Sequence, residues 1–117
     1  MFFKIHKTFI KNYKGEKMKK WADYLISKVR YSENPRHIIS VFVHEDLGDN
    51  VGEGKVFSRP EVISLIKKGF SVYTIYKGDS GWKLGEPVQI INVNAVEFIK
   101  TRPDSQSIDN LENLPEF

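Results

Sequence analysis

Ser58-Arg59-Pro60-Glu61-Val62-Ile63-Ser64-Leu65-Ile66-Lys67-Lys68-Gly69 holds the start, the body and the stop of one helix. The Ser58 hydroxyl can accept from the first unpaired amides. Glu61, three residues on, completes a capping box, and Pro60 suits a first turn, where an amide has no helical partner anyway. Val62, Ile63, Leu65 and Ile66 supply a stripe to bury. Lys67 and Lys68 lie at the negative end of the helix dipole, and Gly69 fits a left-handed stop. A helix of about ten residues is marginal alone in water, so it must pack on a larger element.

That element is a sheet, because the flanking segments read as strands. Before the helix, Leu25, Ser27, Val29 and Tyr31 alternate with polar positions over residues 24–31 and predict a half-buried strand. Ser32-Glu33-Asn34-Pro35-Arg36 is a turn by composition. The return strand, residues 37–44, places Ile39, Val41 and Val43 on one face and Ile38, Ser40, Phe42 and His44 on the other. Residues 45–54, with four acids and three glycines, predict an exposed loop leading to a short strand at 55–57.

After the helix, residues 70–76 form a strand rich in aromatic and β-branched residues. Gly78-Asp79-Ser80-Gly81 turns it, and residues 82–84 return. Gly85-Glu86-Pro87 punctuates the chain before strands at 88–93 and 95–101. The order β-β-β-α-β-β-β-β predicts an α+β domain with a mainly antiparallel sheet and one short helix. Past Arg102 the chain is polar except for Leu111, Leu114 and Phe117. Burial of these three would pack the tail on the body, with Pro115 forcing an extended end and Asp109, Asn110 and Asn113 bonding nearby backbone.

The chain has 117 residues, no cysteine and a net charge of +3. This length suits one domain with one core, and disulfides, thiolate metal sites and cysteine nucleophiles are excluded. Apolar runs are too short for a membrane span, and lysines interrupt any secretory signal at the start, so the expected location is the cytoplasm. The charge is unevenly spread. Residues 1–21 carry seven lysines and one acid, net +6, and residues 22–117 carry 11 basic and 14 acidic residues, net −3. A broad phosphate-binding face is not what the body's charge predicts.

Residues 1–17 are therefore set apart from the domain at 18–117. Lys14-Gly15-Glu16-Lys17-Met18 back-translates to a purine-rich stretch upstream of a start codon, which makes Met18 a candidate natural start. The other reading is a translated basic extension. As a helix it would gather Phe2, Ile5, Phe9, Ile10 and Tyr13 opposite Lys4, Lys7, Lys11 and Lys14, and would dock on its own domain, a partner or an anionic membrane surface.

The run Ser58-Arg59-Pro60-Glu61-Val62-Ile63, the segment Lys68-Gly69-Phe70 leading to Tyr73-Thr74, Gly85-Glu86-Pro87-Val88, and the ending from Asp109 to Phe117 look like those of a known family. Together these resemble the small bacterial proteins grouped as domain of unknown function 3892. The resemblance spans about residues 22–117, is most distinctive in the asparagine-leucine-proline tail, and omits the first 17 residues. It implies no activity, cofactor or catalytic residue.

Four constellations bear on function. His44 beside Glu45 and Asp46, with Ser40 on the same strand face, offers a base and a hydroxyl but no nucleophile motif, and a strand-end histidine is more often a polar cap. Glu45, Asp46, Asp49, Asn50 and Glu53 could offer oxygen ligands to a cation, yet their spacing is not that of a calcium loop. Tyr73, Tyr76 with Lys77, and Trp82 with Lys83 are the candidate interaction surface. They could serve nucleic acid through stacking and charge, or simply build a core. The tail residues Asp109, Asn110, Leu111, Asn113, Leu114, Pro115 and Phe117 are either structural or a docking motif. With no catalytic, cofactor or metal site assigned, the expectation is a non-catalytic protein-interaction module whose partner is another protein or a second copy. Weak nucleic-acid binding is the alternative, and a hydrolase or metal-dependent enzyme comes after it.

Overall fold

The computed structural model describes residues 5–6, 20–33, 37–106, 109–111 and 114–117. In chain order the elements are β1 (Ile5–His6), β2 (Tyr24–Tyr31), β3 (Ile38–Glu45), β4 (Asn50–Val51), β5 (Lys55–Ser58), α1 (Arg59–Lys67), β6 (Val72–Gly78), β7 (Gly81–Pro87), β8 (Gln89–Val93) and β9 (Val96–Lys100). The main sheet has the order β5-β3-β2-β6-β7, with every pairing antiparallel except that of β2 with β6. Strands β8 and β9 form a separate hairpin, and β1 pairs with β4. The fold is α+β, as the order of elements predicts.

The helix has the expected ends. Glu61 N donates to Ser58 Oγ at 3.3 Å, Ser58 N donates to Glu61 Oε1 at 3.0 Å, and Gly69 takes φ +94°. Val62 is buried, and Ile63 and Ile66 pack half-buried around one core with Ile26, Val29, Val41, Val43 and Ile99. A second core, with Ala22, Leu25, Val51, Ile75 and Trp82, gathers elsewhere on the sheet.

Two bulges explain why simple alternation misassigns faces in the first hairpin. Ile26 pairs with Val43 and Lys28 with Phe42, so Ser27 is an extra residue in β2. Leu25, Ile26 and Ser27 are consequently buried in succession, and Leu25 and Val29 belong to different cores instead of one face. Arg30 pairs with Ser40 and Tyr31 with Ile38, so Ile39 is the extra residue in β3. It is turned out to 50% exposure, and Ile38 joins Val41 and Val43 in the core in its place.

Three further expectations are corrected. The acidic segment is not a solvated loop: Asp46 and Val51 are buried, and Asp46 Oδ2 accepts from Trp21 N at 2.5 Å and Ala22 N at 3.2 Å. With Gly48 N on Oδ1 at 3.0 Å, this carboxylate closes the entrance to β2. Gly85-Glu86-Pro87 lies inside β7 instead of separating strands. Tyr73 pairs with Pro87 and Ile75 with Leu84, which leaves one extra residue on β7. There Glu86 N donates to Thr74 Oγ1 at 2.9 Å. Ile5 and His6 are strand, not helix, and the rest of the proposed N-terminal helix lies outside the described residues, as do Asn34, Pro35 and Arg36 of the first turn.

The tail packs on the body. Leu111 is buried, and Leu114 packs half-buried against the helix-side core. Asn110 N donates to Ile99 O at 2.9 Å, and Thr101 N to Asn110 O at 3.1 Å, laying the tail beside β9. Farther on, Val29 N donates to Pro115 O at 2.9 Å and Phe117 N to Val29 O at 3.1 Å, a parallel bridge to β2. No helix among the described residues is long and apolar enough to cross a membrane.

Candidate functional site in the crevice between β2 and β6

Strands β2 and β6 run parallel but pair only from Tyr24–Val72 to Ile26–Thr74. Beyond that point β2 continues to Tyr31 and β6 to Gly78, with no ladder between them among the described residues. The Ser27 bulge starts the divergence, and the tail satisfies the β2 edge at Val29 that β6 has left. Crevices beyond the carboxyl ends of parallel strands are where open sheets commonly bind ligands.

One cavity at this divergence, about 310 Å³, is lined by Ser27 and Lys28 of β2, Phe42 and His44 of β3, Tyr76, Lys77 and Trp82 of the β6–β7 hairpin, and Pro115 of the tail. His44 Nδ1 lies 2.9 Å from Gly52 O, which can only accept, so Nδ1 carries the proton. In the neutral ring Nε2 then accepts from the Ser27 hydroxyl 2.8 Å away. Burial of the ring holds the His44 pKa below its ordinary value. The Gly52 carbonyl opposes that shift, and the positive charge of Lys28 adds to it. Phe42 and Trp82 stand against the imidazole with ring centroids 5.3 and 5.6 Å away.

The hydroxyl beside His44 is thus Ser27 and not Ser40. Four residues along an extended strand span roughly 13 Å, so Ser40 is out of reach of His44. The bulge that delivers Ser27 leaves no mark in the sequence beyond a break in alternation.

The candidate surface on the β6–β7 hairpin divides between two faces. Tyr76 pairs with Lys83 and Lys77 with Trp82, and adjacent pairs point to opposite sides. Trp82 is 8% exposed, in the core with Ile75, and Tyr73 packs half-buried beside it, whereas Tyr76 is 49% exposed. Lys77 Nζ lies 5.9 Å from the Trp82 ring centroid. A second cavity, about 390 Å³, lies on the tail side and is lined by Thr74, Tyr76, Leu84, Thr101, Leu111 and Leu114 among others.

The tail residues meet distant partners. Asp109, buried, accepts from Ile38 N at 2.9 Å and Ile99 N at 2.8 Å, and from Arg59 Nε at 2.7 Å and Nη2 at 3.0 Å. It ties β3, β9 and α1 together, a wider role than holding a local turn. Phe117 lies 6.1 Å from Phe42 between ring centroids, under the Arg30 guanidinium at 4.5 Å, and its carbonyl accepts from Arg30 Nε at 2.7 Å. Asn113 lies outside the described residues. Among the described residues no group of three or more His, Asp or Glu side chains is placed to hold a metal ion.

Fold and crevice define a small α+β domain whose central parallel pair is opened by a bulge and partly closed by its own tail. The chain belongs to the family described as protein of unknown function DUF3892, whose model matches residues 25–115. No curated protein and no solved structure matches it. The match takes in the bulge at Ser27, all of the main sheet except Tyr24, and the tail as far as Pro115.

Proposed function

We propose that this chain is a non-catalytic protein-interaction module that captures an extended segment along the edge of β2 that β6 leaves. Its own tail occupies that edge in the isolated chain. The observation that carries the reading is the parallel bridge at Val29, where Pro115 and Phe117 are held as a strand-adding peptide would be. Main-chain bonds supply pairing, and side-chain recognition falls to Arg30 and Phe42 around Phe117, with Lys77 across the crevice. A partner segment, or the tail of a second copy, would replace the same contacts.

The test is a fluorescent peptide of residues 110–117 added to the full chain and to a chain ending at residue 113. Binding to the shortened chain alone, weakened by Arg30→Ala, is the expected result. If the folded, shortened chain ignores the peptide, the reading fails.

Ser27 and His44 favour a second reading, hydrolysis. The Ser27 oxygen would add to an acyl carbon as its proton passes to His44 Nε2, His44 would return that proton to the departing group as its bond to the acyl carbon breaks, and water activated by His44 would then cleave the acyl-Ser27 ester. Covalent labelling of Ser27 by a fluorophosphonate, absent in His44→Gln, would put this reading first. Nucleic-acid binding gains less support, since stacking along a strand draws on aromatic and basic groups displayed together, and here they divide between two faces.

A further inference from the structure

We propose that the cavity between β2, β3 and the β6–β7 hairpin binds a small organic anion with a flat apolar body, for which an aromatic carboxylate is the simplest model. The site borders the edge proposed for strand addition and shares Phe42, Lys77 and Pro115 with it, but it is complete with the chain's own tail in place and does not require that tail to be exchanged.

Shape selects the flat body. Phe42 and Trp82 wall a space of about 310 Å³, at the small end of the range for ligand pockets and enough for a fused ring system with one charged substituent. Aromatic walls favour ring-shaped ligands through offset or edge-on packing.

Charge selects the anion. Lys28 enters from β2 and Lys77 from β6, with ammonium groups 5.4 Å from the Phe42 ring centroid and 5.9 Å from that of Trp82. Both sit on the aromatic walls, and neither has a carboxylate partner among the described residues. No Asp or Glu is among the described residues that line the cavity. Two cations over apolar walls leave a focused positive potential that a carboxylate at the mouth would neutralise. A neutral ligand of the same shape would leave it standing.

The floor adds orientation. The Ser27 hydroxyl proton is committed to His44 Nε2, and His44 Nδ1–H to Gly52 O, so the remaining polar capacity at the floor is the lone pairs of Ser27 Oγ. A ligand with a hydroxyl or N–H group opposite its carboxylate would therefore be preferred over one without.

The experiment uses the full chain with 2-naphthoate and its uncharged counterpart 2-naphthamide, followed by calorimetry and tryptophan emission. Naphthoate should bind at least about tenfold more tightly than the amide, and Lys28→Met or Lys77→Met should each weaken naphthoate about tenfold while leaving amide affinity unchanged. In the unmodified chain, naphthoate should perturb the NMR signals of Ser27, His44 and the Trp82 indole first, a readout that needs no variant to fold. Equal affinity for acid and amide, or perturbations confined to other surfaces, would overturn the proposal. Because the tail peptide is absent, this result is independent of whether strand addition succeeds.

Discussion

Arg59, the first residue of α1, grips Asp109 with two parallel hydrogen bonds across fifty positions of sequence. The same guanidinium donates to Glu97 O at 2.6 Å, so one side chain fixes the helix start, the β8–β9 hairpin and the tail. The carboxylate is fully buried while Arg59 is 25% exposed, which makes the two unequal in consequence. Asp109→Ala strands two buried amides and a cation and should cost about 3–5 kcal/mol. Arg59→Met leaves the carboxylate its two backbone donors and should cost less, about 1–3 kcal/mol. Urea denaturation measures both, and equal losses would contradict this ranking.

The tail should be graded in strength along its length. Leu111→Ala empties a buried site in the main core and should cost about 2–5 kcal/mol. Phe117→Ala removes a half-buried ring held by Phe42 and Arg30 and should cost about 1 kcal/mol. Thermal melts of the two variants decide it. A Phe117 effect as large as that of Leu111 would mean that the end of the tail is too firmly fixed to be exchanged.

Gly85 has no room for a side chain. A Cβ there would lie 2.2 Å from Thr74 Oγ1 and 2.9 Å from Thr74 O. Gly85→Ala should destabilise by about 1–3 kcal/mol through overpacking. Adding Thr74→Ala should recover only part of this, because the backbone oxygen remains. Full recovery in the double variant would show that the backbone can yield.

His44 links stability to pH. Its folded pKa is depressed, chiefly by burial, so above about 6.5, where the unfolded ring is also neutral, its contribution is fully present. As pH falls below that value the unfolded chain takes up a proton that the folded chain resists, and stability is lost down to the folded pKa. Denaturation from pH 7.5 to 5 should therefore show a steeper decline for the native chain than for His44→Gln. Parallel curves would remove His44 as the cause.

A chain beginning at Met18 should melt within a few degrees of the full chain, since among the described residues the ladder joining β1 to β4 is two pairs long, Ile5–Val51 and His6–Asn50. Calorimetry of both chains tests this, and a loss of ten degrees or more would make the extension part of the fold.

Local chemistry in the sequence determined the elements that need no distant partner. Ser58, Glu61 and Gly69 specify a helix because cap and stop bonds form within a few residues. Alternation placed the strands because a half-buried strand repeats every two residues, and the apolar spacing of Leu111 and Leu114 foretold a packed tail. Tertiary structure alone decided what depends on register. An extra residue at Ser27 or Ile39 turns side chains across the sheet, and only the partner strand shows which residue is extra. For that reason the hydroxyl beside His44 could not be read from spacing, and Ile39 reads as core although it is exposed. Asp46 reads as a solvated loop acid and Asp109 as the holder of a local turn, because a sequence displays their charge and not the distant amides that will surround them. Folding brings Trp21, Ala22 and Gly48 to one and Ile38, Arg59 and Ile99 to the other, and those donors make burial of each carboxylate favourable.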